Sequence, residues 1–197
     1  MDYTYFNELV PDLSLTVAGV DEAGRGPLAG PVYAAAVILP KGLIIDGVTD
    51  SKKISEKKRE KLFEVIKEEA LAYAIASASN HEIDELNILG ATMLAMKRAV
   101  DALSIKPELL LIDGNRARGF DIPTKTVIKG DALIPQIAAA SILAKVTRDR
   151  YCLEMAEKYP EYAFEKHKGY PTELHRQKVV ELGPCPEHRM SFLKKIL

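Results

Sequence analysis

The sequence predicts an α/β or α+β layer fold, a mixed sheet covered by helices. Three observations predict it. Apolar runs of strand length gather ahead of residue 80, with only one helix-patterned stretch among them. Beyond that point helical and strand patterns alternate. The run after Pro135, Gln-Ile-Ala-Ala-Ala-Ser-Ile-Leu-Ala-Lys-Val, is apolar nearly all round, as a helix buried against a sheet must be.

Taken in order, residues 1–14 are mixed in character and carry Pro11, which suits a short helix or coil packed on the body. Residues 15–21 and 32–39 are the first two strands, and 41–54 a loop holding Gly42, Gly47 and Asp50-Ser51-Lys52-Lys53. Ser55 is placed to cap a helix over 56–69, where Leu62, Val65, Ile66 and Glu69 follow helical spacing. The other face of that helix, Lys57-Lys58-Arg59 included, reads as solvated. Residues 71–79 alternate large and small side chains, as a third strand does. Residues 81–86 form a short helical turn, and 88–103 a longer helix with Ala91, Leu94, Ala95, Met96, Ala99, Val100 and Leu103 inward.

Pro107 breaks that pattern, and 109–112 is a compact strand ending in the turn Asp113-Gly114-Asn115. Residues 124–129, β-branched at Thr124, Thr126, Val127 and Ile128, make a fifth strand before Gly130-Asp131. The buried helix from Pro135 runs through Tyr151 toward Tyr159, with Pro160 as its stop. Thr172 caps a last helix to Leu182 ahead of a Pro-rich end.

A chain of 197 residues buries roughly 70% of its unfolded surface, enough for one domain with a small helical extension. Apolar content of 47% against 28% charged is ordinary for a soluble protein. No stretch approaches the ~20 apolar residues of a membrane span, and the N-terminus has neither the basic region nor the apolar core of a secretory signal. The expected location is therefore the cytoplasm. Cys152 and Cys185 lack the spacing of a zinc knuckle or disulfide framework and read as free structural thiols. A net charge of −1 excludes a nonspecific polycation, while leaving room for a local basic face.

The chemistry concentrates in residues 17–31. An apolar run delivers two adjacent acids, Asp21 and Glu22, then Gly24-Arg25-Gly26. Gly24, Gly26 and Gly30 imitate a dinucleotide loop, but such a loop opens into a helix. Here Pro27, Pro31 and a strand-like run follow, so the stretch reads as a tight connection between antiparallel strands. Desolvated carboxylates side by side repel, and a metal ion is their natural compensation. Asp113 and Asp131 likewise stand at or beside the ends of apolar runs or at glycine turns. Each alone is better explained as a turn former than as a ligand. If the runs are sheet neighbours, four hard oxygen ligands converge at one edge, and they favour Mg2+ or Mn2+ over zinc. His81, His167, His175 and His188 show no ligand spacing.

Six motifs in order resemble ribonuclease HII: Val-Asp-Glu-Ala-Gly-Arg-Gly-Pro with Ala-Gly-Pro-Val after it, Asp-Ser-Lys-Lys, Leu-Ile-Asp-Gly-Asn, Lys-Gly-Asp-Ala, Ala-Ala-Ala-Ser-Ile-Leu-Ala-Lys-Val-Thr-Arg-Asp, and His-Lys-Gly-Tyr-Pro-Thr. They span about residues 17 to 172. The related ribonuclease HIII usually carries lysine in place of Arg25 and an additional N-terminal domain, which favours HII here. The resemblance implies a ribonuclease H-like α/β fold, a mixed five-stranded sheet flanked by helices, with residues 1–197 as one domain and about 160–197 as its C-terminal helical extension. It implies hydrolysis of RNA in RNA–DNA hybrids and at ribonucleotides embedded in duplex DNA, 5′ of the ribonucleotide, leaving 3′-hydroxyl and 5′-phosphate ends. The implied roles are ribonucleotide excision and RNA primer removal, by a monomer.

Carried over by position, Asp21, Glu22, Asp113 and Asp131 match the family's catalytic, metal-binding acids, with two Mg2+ or Mn2+ ions in the substrate complex. Gly24, Arg25 and Gly26 match residues that contact the 2′-hydroxyl at an RNA-to-DNA junction, and glycine suits a close backbone reader. Tyr170 matches a residue that packs on the following deoxyribose, and Ser141 one near nucleic acid. Lys52, Lys53, Lys145, Arg148, Lys166 and Lys168 are candidates for phosphate contacts that position a duplex. The rival from another class is a silent nucleic-acid-binding module; the intact acids argue against it.

Overall fold

A computed structural model describes residues 3–49, 51 and 54–197. Five strands, β1 (Val17–Ala23), β2 (Val32–Ile38), β3 (Ala72–Ala78), β4 (Leu109–Asp113) and β5 (Thr124–Val127), form one sheet in the order β3-β2-β1-β4-β5. β1 is antiparallel to β2, and β2 to β3; β4 lies parallel to β1 and to β5. The sheet is mixed because the first three strands meander, the chain then crosses to β4 through the helix Asn80–Asp101, and a stretch without helix, residues 114–123, carries it to β5.

Two faces alternate along β1. Ala18 and Val20 join Ala34, Ala36, Leu110 and Ile112 beneath α3 (Asn80–Asp101), which presents Ala91, Ala95 and Ala99. The opposite face packs on α5 (Pro135–Lys158) and α2 (Glu56–Glu69), with Ala35, Val37, Ile66, Ala138 and Ala139 in one cluster. Small residues on both sides let helices approach closely. At Gly19 a Cβ would stand 2.3 Å from Ile137 N, so only glycine admits the first turn of α5 onto β1.

The remaining elements are α1 (Thr4–Leu9), α4 (Gly130–Leu133), α6 (Phe164–His167), α7 (Glu173–Leu182) and α8 (Met190–Leu193). Phe6 and Val10 seat the N-terminal segment beside Ile134 and Ile137. Ser55 and Thr172 cap their helices as expected, accepting from Lys58 N and His175 N. Ser79 closes a capping box with Glu82 at the start of α3. The two expected helical pieces are joined there across a kink at Asn87, whose φ of 59° is left-handed.

Several expectations are corrected. β1 starts and ends two residues later than its apolar run, because pairing with β2 continues through the acids: Asp21 faces Ala35 and Glu22 faces Ala34. The connection 24–31 is not tight; it is a broad loop lying on the C-terminal segment, with Ala29 bridged to His188. β5 stops at Val127 because Lys129 turns left-handed (φ 57°) to start α4, so Asp131 sits in a helical first turn. On α2 the buried partner of Leu62 and Ile66 is Phe63, while Val65 is exposed. The Arg150 guanidinium covers the Phe63 ring at 4.4 Å, a contact made across helices.

Candidate active site

β1 and β4 are parallel neighbours, so their carboxyl ends lie at the same edge of the sheet. The crevice beyond their carboxyl ends is where such sheets take ligands. A cleft of 830 Å³ opens there, lined by Asp21, Glu22, Asp113 and Asp131, by Gly24, Arg25 and Gly26, and by Ser141, Lys145 and Tyr170. Four acids from three separated stretches thus share one cleft.

Strand alternation sends the acids to different sides. Asp21 faces α5, on the side of Gly19, whereas Glu22 faces the α3 side and pairs with Arg25 at 3.2 Å. Asp113 accepts from Gly130 N at 2.7 Å, which ties the end of β4 to the helix carrying Asp131. Asp21 is only 5% exposed and accepts from the Glu22 amide at 2.7 Å. Burial, with Glu22 and Asp113 adding like charge, holds its carboxyl well above the usual range, although a bond from Ser141 opposes this.

These residues fit a divalent ion. The donors are carboxylate oxygens, and Asp21 is buried beside two further carboxylates, a position a cation would relieve. Among the described residues no three such side chains close into a ready-made cage.

Ser141 is buried and shares a 2.9 Å hydrogen bond with Ser51. Lys145 reaches the cleft while paired to Asp149 at 2.6 Å. Arg59, expected on a solvated face, turns inward instead. It donates to Ser51 O and Ile54 O, stands 3.8 Å from Asp149, and lines the cleft. Residue spacing along α2 could not show this, because its partners lie in the preceding loop and on α5. Lys52 and Lys53 lie outside the described residues. Lys168 is outside the cleft lining and within 3.9 Å of Glu56, and Lys166 is exposed on α6.

Arg148 is corrected outright as a phosphate contact: it is 1% exposed. Its guanidinium donates to Lys168 O, lies 5.5 Å from the centre of the Tyr170 ring, and sits where a Cβ on Gly24 would be. Gly24 has φ +99°, while Gly26 has no positive φ; a Cβ on Gly26 would lie 3.5 Å from Tyr170 Cε1. The turn and the Tyr170 ring therefore face each other across a narrow gap at the edge of the acids. Sequence reasoning also missed Arg189, a single arginine among mixed residues near the C-terminus, fully buried against this turn.

Residues 18–195 match the family model described as Ribonuclease HII. A curated protein named Ribonuclease HII from Caldicellulosiruptor saccharolyticus is 55% identical over 181 residues, 92% of this chain and 88% of that protein. The crystal structure of the ribonuclease H2 from Pyrococcus horikoshii OT3 aligns with a TM-score of 0.77 at 30% identity, covering 92% of this chain and 97% of that one. Bst-RNase HIII, solved in complex with Mn2+, aligns with a TM-score of 0.64 over 86% of this chain and 63% of that one; at 20% identity it shows the shared fold.

Proposed function

The chain belongs to the ribonuclease HII family, and we propose that its four cleft acids bind the divalent ions of the reaction while the Gly24–Tyr170 gap reads the ribose. The protein is a hydrolytic endoribonuclease that cleaves RNA in RNA–DNA hybrids, built on the ribonuclease H-like fold. The observation that carries the site assignment is the shared cleft, lined by acids from β1, β4 and α4 together with the glycine turn and Tyr170.

In this reading Asp21, Glu22, Asp113 and Asp131 hold Mg2+ or Mn2+. When bound, such ions activate water and steady the leaving oxygen of an in-line phosphoryl displacement. Asp21 is the ligand whose burial most favours a cation beside it. Ser141 orients its carboxyl, and Asp113 is fixed by the Gly130 amide. Lys145, held by Asp149, supplies positive charge near the phosphate path. The turn and Tyr170 select a ribose followed by a deoxyribose, which extends the substrate to single ribonucleotides in duplex DNA, cut on the 5′ side. Residues 1–197 act as one domain and as a monomer in the cytoplasm, with the helices from about 160 completing the Tyr170 side. Among the described residues no helix is long and apolar enough to cross a membrane.

The test is cleavage mapping on a long hybrid and on a duplex with one ribonucleotide, each in Mg2+, Mn2+ and chelator. Cutting 5′ of the ribonucleotide with either metal and none in chelator is expected. Tight binding of both duplexes without cutting in either metal refutes the metal-site assignment.

A further inference from the structure

Arg189 is fully buried, and every donor of its guanidinium faces a main-chain carbonyl of the glycine loop. Nε donates to Gly30 O at 2.8 Å. Nη1 donates to Arg25 O at 3.1 Å and Pro27 O at 2.8 Å, and Nη2 to Gly24 O at 2.7 Å and Pro31 O at 3.3 Å. Its own amide donates to Leu28 O at 2.8 Å. Among the described residues no other cation gathers so many carbonyls from one loop.

The geometry has a directional consequence. A trans peptide is planar, with its N–H opposed to its C=O, and the described chain has no cis peptide. With the carbonyls of Gly24 and Arg25 drawn inward onto Arg189, the amide N–H groups of Arg25 and Gly26 point the other way. That way is the cleft, because Gly24, Arg25 and Gly26 line it and Arg189 does not. A cation on the carbonyl side also polarises the peptide and strengthens the amide as a donor.

We infer that Arg189 is a positioning residue for sugar selection: it presents the Arg25 and Gly26 amides as paired donors to the ribose 2′-oxygen. This inference rests on the reading of the glycine turn above and adds what sets it. Arg148 packs against the loop at Gly24, where a Cβ would stand 2.3 Å from its Nε. Burial, with the Arg148 charge adding to it and Asp84 opposing, lowers the Arg189 guanidinium to about 9, and the groups in hydrogen-bond contact with it are carbonyl dipoles. A lysine has three donors where arginine has five, and it cannot fork across the loop.

The experiment compares binding, in chelator, of a duplex carrying one ribonucleotide with the same duplex made wholly of DNA. Wild-type chain is expected to prefer the ribonucleotide duplex. Arg189→Lys is expected to lose about tenfold of that preference, the equivalent of one hydrogen bond of about 1.4 kcal/mol, while binding the all-DNA duplex as wild type does. A residue that merely staples the C-terminal segment would weaken both duplexes alike. A folded Arg189→Lys chain with the wild-type preference overturns the inference.

Where Arg189→Lys does not fold, hydrogen exchange on wild-type chain decides. The Arg25 and Gly26 amides should exchange freely, and become protected by the ribonucleotide duplex but not by the all-DNA duplex. Slow exchange in the free chain, or equal protection by both duplexes, overturns it. A wild-type chain with no preference refutes the glycine-turn reading itself, and the inference with it.

Discussion

His188 Nε2 lies 3.1 Å from His175 Nε2, and the neighbours of the two rings fix which one donates. His175 Nδ1 faces Tyr170 O at 3.0 Å, so it must carry a hydrogen, and its Nε2 accepts. His188 then donates from Nε2, and its Nδ1 accepts from the Cys185 amide at 2.9 Å. The third ring, His167, accepts from Gly169 N and donates to Tyr162 O, and stacks on His175 with centroids 4.1 Å apart. Three neutral imidazoles thus hold the backbone on which Tyr170 rides.

Acid should therefore loosen this end of the molecule. Burial pushes His175 and His188 down to about 4, with the neighbouring imidazoles adding to the effect, and lowers His167. In the unfolded chain the same groups titrate near 6.5. The neutral network gives its full stabilisation above pH 6.5. It weakens as pH falls toward 4, where the unfolded chain takes up protons that the folded chain refuses. The slope is about 1.4 kcal/mol per pH unit for each histidine. Denaturant midpoints between pH 7 and pH 4 measure it; replacing His175 and His188 together by Phe should flatten the curve, and an unchanged slope would contradict the assignment.

Asp21→Asn should separate activity from stability. Loss of the buried negative charge is expected to cut turnover by more than about a hundredfold, since even partners one step removed from a metal cost 10–100-fold. Duplex binding should persist. In chelator the variant should be more stable than wild type, on the order of 1 kcal/mol, because a desolvated carboxylate beside Glu22 and Asp113 is gone. Full turnover would remove Asp21 from the metal site, and a lower melting temperature would contradict the strain argument.

Two neighbouring glycines should respond differently to alanine. At Gly24 the new Cβ meets the buried Arg148 side chain at 2.3 Å in a left-handed backbone, so Gly24→Ala should lose about 1–3 kcal/mol of stability. Gly26→Ala makes only an ordinary contact with Tyr170 and should melt like wild type. It should nonetheless lose cleavage at a single ribonucleotide, because the methyl enters the gap where the sugar is read. Full activity in Gly26→Ala would place the sugar elsewhere.

Tyr170→Ala should lower kcat/KM at an RNA-to-DNA junction about tenfold and leave Mn2+ affinity, measured by calorimetry, unchanged. The ring is 40% exposed and lies over the Arg148 guanidinium, so its loss opens the reading gap without disturbing the acids. Tyr170→Phe should keep most of the activity, since the packing is done by the ring. An unchanged junction preference in Tyr170→Ala would refute its role.

What could be read along the chain was whatever repeats at the period of a strand or helix or stands in a short ordered motif. The five strands, the buried helix after Pro135, the caps at Ser55 and Thr172, and the candidate acids are all of this kind, because local propensity and pattern set them. Tertiary structure decided what depends on partners distant in sequence. Pairing with β2 carried β1 past Asp21 and Glu22, and α5 against Gly19 brought Ser141 to the Asp21 carboxyl. Arg59, Arg148 and Arg189 look like surface cations in one dimension. Arg59 instead turns inward onto the carbonyls of Ser51 and Ile54, Arg148 is buried with one donor on Lys168 O, and Arg189 is buried among the carbonyls of the loop at 24–31. A desolvated guanidinium needs acceptors brought from distant parts of the chain, as the five carbonyls around Arg189 are, and that placement is a property of the folded chain.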